Sequence, residues 1–414
     1  MPPRDDPPAP GLLAPESLRL LGFGFLLSFF SSFGQTFFIA LFNAEFRDTF
    51  GLTHGSFGSL YSAATLVSGL SMLWFGAQID RIDLRVYAGG ACAVLATACL
   101  LLSFAEHLAV FAACLFLLRL SAQGVMSHAS VTSMARYFER GRGRAIAVAT
   151  MGHPAGEALF PILTVAAIAA LGWRSVWLGL AALLAAVVLP AVVLLLRDQR
   201  ARHDRILARE GGQRPRGSLL SQYALLFSER RFLLILPAII APGFINTAIF
   251  FHQVPLVEAR GWSLAWFAGS ISVYAAASIA GTFVSGYLVD RLRAVRLMPF
   301  YELPFAAGCF VLALGQGIAT APIYMLLAGI STGFAATITT SMWAELYGLA
   351  RLGTIRSVAA TLMVLSTALG PVIFGVLIDL GVSFEALFAA CGCYVLAASA
   401  LLFVAFGKEL RGTA

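Results

Sequence analysis

The sequence predicts an all-α membrane protein, with twelve transmembrane helices arranged as two pseudo-symmetric six-helix bundles. Three observations carry that expectation: the composition, the number and length of the apolar runs, and the side on which the basic residues fall. Of 414 residues, 59% are hydrophobic and only 12% are charged, with 39 Gly and 33 Phe. A soluble domain carries about 25% charged residues, and a soluble chain of this length would divide its core among several domains. Here the apolar residues gather into runs of about 20, the length a helix needs to cross a ~30 Å hydrocarbon layer. Lipid supplies no water to backbone N–H and C=O groups, so each run must close its own hydrogen bonds as a helix.

Taken in order, the expected spans are Leu18–Asn43, Ser56–Gln78, Val86–Ala105, Leu108–Ser133, Ala145–Ala170, Ser175–Leu196, Phe232–Leu256, Leu264–Leu288, Leu297–Ile318, Ala321–Trp343, Arg356–Asp379 and Phe384–Phe406. Residues 1–17, polar and rich in Pro, are expected to be a disordered cytoplasmic segment. The first apolar run is too long for a signal peptide and lacks a small-residue cleavage site, so it is expected to stay in place. Residues 18–196 then form an N-terminal bundle, 197–231 a basic cytoplasmic linker with nine Arg, 232–406 a C-terminal bundle, and 407–414 a cytoplasmic tail.

Placing both termini in the cytoplasm puts every Arg and Lys but four on the cytoplasmic side; the exceptions are Arg47, Arg119, Arg174 and Arg260. Positive residues remain inside when a bacterial-type inner membrane protein inserts, and one helix more or fewer would scramble the pattern. The net charge of +7 therefore reflects topology, and no nucleic-acid partner is expected. The six Cys all fall within spans and read as small hydrophobes. Cys391 and Cys393 are two apart and point away from each other on a helix. Neither a metal site nor a cofactor is implied.

The chain repeats itself. Gly76-Ala-Gln-Ile-Asp80-Arg81, followed by Arg85, closes span two, and Gly286-Tyr-Leu-Val-Asp290-Arg291, followed by Arg293 and Arg296, closes span eight, 210 residues later. Glycines there permit close helix approach, and the two Asp stand at the membrane edge, where a carboxylate can meet the positive N-terminus of a helix. With this pair on the page, the sequence resembles the major facilitator superfamily, whose signature is a Gly-x-x-x-Asp-Arg loop between helices two and three, echoed between eight and nine. The resemblance spans nearly the whole chain and implies two six-helix halves that alternate access to a central site. It implies a cytoplasmic gate at Gly76, Asp80, Arg81, Arg85, Gly286, Asp290, Arg291 and Arg296. Asp83 stands where the family usually has Gly, and Arg296 comes one place later than its counterpart. A second repeat pairs Ala135–Arg144 before span five with Ala344–Arg356 before span eleven, and its first copy resembles the aromatic-plus-basic loop of the monocarboxylate and oxalate:formate branch.

Polar groups inside the spans are the candidates for solute chemistry. Arg119 stands near the middle of span four, where an Arg costs at least about 2.5–3.5 kcal/mol without a partner or a wet cavity. Gln123, Ser127 and Ser130 continue a polar stripe at helical spacing. Glu157 lies at similar depth in span five with His153 one turn earlier, and the other half has no acid at the equivalent place, Leu369. The resemblance adds Gln35, Asn246, Gln253 and Trp343 as residues facing a central cavity. His128, His252 and Glu345 near span ends are expected to reach toward water, and Glu302 to support the Arg-rich loop before it. No nucleophile–base set, phosphate loop or Walker sequence occurs, so neither catalysis nor ATP is expected. The sequence thus implies a secondary transporter of a small molecule, complete as a monomer in the lipid bilayer. A small organic anion, a carboxylate above all, comes first among its substrates. Proton-driven efflux of amphipathic drugs is the alternative, since the drug exchangers of the family also carry an Arg with a Gln-Gly pair following, as in Arg119…Gln123-Gly124. A non-transporting sensor or assembly factor on the same fold remains a third reading.

Overall fold

The computed structural model describes residues 14–79, 82–138, 142–197, 229–347 and 349–410. Asp80, Arg81 and nearly all of the basic linker fall outside them. Ten stretches of the described residues are helical, long enough and apolar enough to span a membrane; His54–Gln78 and the shorter Leu303–Leu314 supply the other two of the twelve spans.

Several spans are interrupted, and the interruptions have local causes. Helix one runs Pro15–Phe30 and tightens into a 3-10 turn at Ser31–Gly34. Gln35 is then extended (φ −83°, ψ 155°), and short helical turns lead on to Asn43–Phe50. Ser31 Oγ donates back to Ser28 O at 2.7 Å, competing with the main-chain ladder. Helix four is α-helical over Leu108–Leu118, π-helical over Arg119–Met126 and α-helical again over Ser127–Tyr137. Helix seven (Arg230–Phe251) breaks at His252 before Gln253–Arg260. Pro161, Pro237, Pro242 and Pro371 all sit inside uninterrupted helices. The breaks fall at Gln35, Met151 and His252, and the last two stand three residues before Pro154 and Pro255, which have no N–H to offer the carbonyls of Thr150 and Phe251.

Two compact units emerge. The first holds Met1–Gln35, Val67–Gly156 and Ala170–Arg214; the second holds Thr36–Leu66, Glu157–Ala169 and Pro215–Ala414. In the first, Gly152 and Gly156 of helix five bring that helix against helix one: a Cβ at Gly152 would stand 2.7 Å from Phe29 N, and one at Gly156 would collide with Ser32 Oγ. In the second, helix eight (Leu264–Leu292) and helix ten (Thr320–Tyr347) form the most extensive interface. Small residues make it possible, since a Cβ at Gly329 would lie 2.8 Å from Ala277 Cβ and one at Gly333 would lie 2.6 Å from Thr282 N.

The second unit also takes the ends of helices one and two and part of helix five. Asn43 Nδ2 donates to Phe251 O at 3.0 Å and Gln253 Nε2 to Phe37 O at 2.9 Å. Ser62 Oγ donates to Ala368 O, and Ser272 Oγ to Ala158 O at 2.8 Å. The Asp379 carboxylate accepts from the amides of His54 (3.2 Å) and Gly55 (2.7 Å), so the end of helix eleven caps the start of helix two.

Candidate functional site

Arg119 opens the π-helical segment of helix four and is only 2% exposed. Extended Gln35 interrupts the ladder of helix one just after Gly34, and Arg119 Nη1 donates to the Gly34 carbonyl at 3.0 Å. Close approach is built in, because any Cβ on Gly34 would collide with the Leu118 carbonyl. π-Helical turns recur at functional sites, and this one rotates the expected stripe. Ser130 is buried and donates to Gly24 O at 2.7 Å, while Gln123 and Ser127 are half-buried. Arg119 and Ser130 therefore grip helix one, and the even polar stripe expected of a regular α-helix is absent. Gln35 itself is half-buried at the break.

Glu157 is buried, and His153, half-buried, lies one turn before it in helix five. Glu157 neighbours Tyr274 of helix eight, whose hydroxyl shares a 3.0 Å hydrogen bond with Thr332 of helix ten. Tyr274 and Thr332 belong to the wall of a cavity of about 570 Å³ in the second unit. Asn246, Thr339, Trp343 and Met363 line it too, and among the described residues none with a charged side chain does. Tyr324 Oη donates to Asn246 Oδ1 at 3.0 Å and orients that carboxamide. Gln253, by contrast, is fully buried against Phe37 and does not line this cavity.

At the repeated loops, Arg85 Nη2 donates to Leu196 O (3.0 Å) and Arg197 O (2.6 Å), tying helix three to the end of helix six. Asp83, the departure from the family pattern, has a job of its own: it N-caps helix three by accepting from Arg85 N at 2.7 Å. Asp290 and Arg291 are exposed, with the Arg291 guanidinium 4.5 Å from the Tyr287 ring centre. Arg296 Nε donates to Glu409 O at 3.2 Å. The expected close approach at the two glycines is not seen. A Cβ at Gly286 would meet nothing within 4 Å, and one at Gly76 would make only ordinary contacts with Met72 and His128.

Two expectations near span ends are corrected, those for His252 and Glu302, while Glu345 is exposed as expected. His252 does not reach water; it is 1% exposed and its Nε2 pairs with Pro371 O at 2.9 Å. Glu345 caps the short helix Ala294–Leu297, accepting from Ala294 N at 2.8 Å, with Arg293 at 3.6 Å. Among the described residues Glu302 pairs with no arginine. It is fully buried and neither carboxyl oxygen has a hydrogen-bond partner, a state that costs about 1–3 kcal/mol for an ordinary polar group. Sequence reasoning passed over it because it stands at the head of a span, beside basic residues.

Twelve spans with interrupted helices, a buried Arg and a buried Glu inside the bilayer segments, and a polar-aromatic cavity define a multi-pass membrane carrier. The chain belongs to the Major Facilitator Superfamily, whose sequence profile matches residues 24–327 and again 270–413. It is thus a secondary transporter and not an enzyme. Its fold is similar to that of a bacterial homologue of the human lysosomal transporter Spinster. Against the inward-facing, unoccupied form the TM-score is 0.69 at 15% identity, covering 96% of this chain and 98% of the other. Against the inward-facing, occupied form it is 0.68 at 16% identity, covering 95% and 97%. No curated protein matches the chain in sequence.

Proposed function

We propose that this transporter carries a small organic anion, a carboxylate above all, by alternating access, with Arg119 as the countercharge. Glu157 or His153 carries a coupling proton, and the repeated loops, from Asp80-Arg81 to Asp290-Arg291, gate the cytoplasmic side. The chain works as a monomer in a bacterial-type inner membrane with both termini inside. The observation that carries the reading is Arg119, a guanidinium buried to 2% in a π-helical turn. A cation kept there at a cost of several kcal/mol marks a solute or ion pathway.

The test is thermal stabilisation of the purified protein by a panel of carboxylates. A ligand at 100 times its Kd adds about 2.7 kcal/mol to the stability of the form that binds it. Arg119→Ala is expected to abolish the response, and Arg119→Lys to weaken it, because an ammonium lacks the bidentate fork. Normal anion binding by Arg119→Ala removes the assignment. The second reading, export of amphipathic compounds, is favoured by the uncharged aromatic wall of the cavity, Tyr274 and Trp343 among it. It moves ahead if aromatic cations or neutral amphipaths stabilise the protein where carboxylates do not.

A further inference from the structure

We propose that Glu302 is a proton-binding site of this chain, exchanging its proton with water in the neighbouring cavity through the hydroxyl of Tyr301. The inference rests on the transporter reading for its role in a transport cycle, whereas the binding itself is testable with no solute present.

Glu302 stands at the end of the turn that joins Ala294–Leu297 to Leu303–Leu314. None of its surface is exposed, and both carboxyl oxygens lack hydrogen-bond partners. The groups that face it are Tyr301 beside it, Cys309 on its own helix and Tyr394 on helix twelve. Helix seven presents backbone carbonyls, of which Pro237 O accepts from Tyr394 Oη at 3.0 Å and Ala238 O from Tyr301 Oη at 3.1 Å. Phenols and thiols are neutral at ordinary pH, and among the described residues no Arg, Lys or His pairs with Glu302. A carboxylate deprived of both water and cations does not stay ionised. The site therefore holds the neutral acid, formed when the carboxylate takes a proton from hydronium and releases water, with no other bond changed.

Packing alone does not explain such a residue. An apolar side chain of similar volume would fill the space and leave no donor or acceptor unmet. The surroundings also supply a route. Tyr301 lies in the wall of the 570 Å³ cavity, immediately precedes Glu302 in the chain, and holds its hydroxyl on Ala238 O. A hydroxyl both donates and accepts, and its proton rotates freely about the C–O bond. Turning from Ala238 O to Glu302, it relays a proton between the cavity and the buried acid.

The experiment is infrared spectroscopy of the full-length protein in lipid, in H2O and after transfer to D2O. A protonated-carboxyl C=O band is expected at neutral pH, absent from Glu302→Gln and retained in Glu157→Gln and Arg119→Ala. On transfer to D2O that band is expected to shift within minutes in the wild type. In Tyr301→Phe the shift is expected to be about a hundredfold slower, the scale on which a positioned proton-transfer group acts. Tyr301→Phe removes only the hydroxyl and keeps the ring, so it tests the relay even if Glu302→Gln folds poorly. A band that survives in Glu302→Gln, or a wild-type band that never shifts, overturns the site. Equal exchange in Tyr301→Phe and wild type overturns the route. Failure of anion binding at Arg119 leaves all these outcomes unchanged, so the two proposals fall separately.

Discussion

A carboxyl inside a membrane protein persists by finding a partner or by keeping its proton, and the two buried glutamates meet that problem differently. Glu157 interacts with its surroundings and neighbours Tyr274, on the cavity wall. Glu302 has no hydrogen-bond partner. If Glu157 carries the coupling proton, Glu157→Gln fixes the carrier in its neutral state. Counterflow of the anion in liposomes is then expected to continue at near the wild-type rate, while uptake driven by a pH gradient falls to background. Loss of both, or survival of gradient-driven uptake, removes Glu157 from coupling. At this scale, counting residues from the span ends sufficed to place Arg119 and Glu157 in the interior. The same count misled at His252 and Glu302, because it equates the end of an apolar run with water. His252 is covered by helix eleven at Pro371, and Glu302 by helices seven and twelve. Those contacts join residues more than sixty places apart in the sequence, where no local pattern records them.

Helices one and seven share a feature that apolar length cannot encode, an interruption inside the span. The break at Gln35 leaves Gly34 O to accept from Arg119, and the one at His252 precedes Gln253, which donates to Phe37 O. The first depends on a neighbouring helix to supply the hydrogen bond and belongs to tertiary structure, whereas the second has a local cause in Pro255, which has no N–H for Phe251 O. Other helix ends are carried by local chemistry, as at Ser263 and Ser383, which N-cap helices eight and twelve. The start of helix two is instead capped from helix eleven, by Asp379. A carboxylate on the positive end of a helix contributes about 1 kcal/mol, and up to about 2 kcal/mol as a cap. Asp379→Ala is therefore expected to loosen this contact, raising the open population about fivefold, the factor equivalent to about 1 kcal/mol. Alkylation of Ser62→Cys, beside Ala368 on helix eleven, in a background without the native cysteines measures it. An unchanged alkylation rate means that the cap does not hold these helix ends together.

Across the whole molecule the basic residues carry the topology, and three of the four exceptions have structural employment. Arg174 Nη1 donates to Ser103 O (3.2 Å) and Ala105 O (3.0 Å), at the C-terminal end of helix three. Arg260 donates to Gly315 O (2.7 Å) and Leu312 O (2.6 Å) at the end of helix nine and pairs with Glu385 at 3.2 Å. A cation on the last carbonyls of a helix answers both their unmet hydrogen bonds and the negative end of the dipole. Arg47 donates to Asn43 Oδ1 at 2.9 Å and lies 3.1 Å from His54 Nε2. The orientation expected from the remaining basic residues then places both termini and the 197–231 segment in the cytoplasm, with Glu106, Glu258 and Ser383 outside. Single cysteines at these positions, labelled in intact cells by a membrane-impermeant maleimide, are expected to react at the latter three and to stay silent at the rest until the cells are opened. Substituting Arg260 by Gln should leave that pattern unchanged, because its charge serves helix nine, while lowering the melting temperature through the lost carbonyl and Glu385 contacts. A terminus labelled from outside, or an inverted pattern in Arg260→Gln, would overturn the assignment of these charges to structure and of the others to topology.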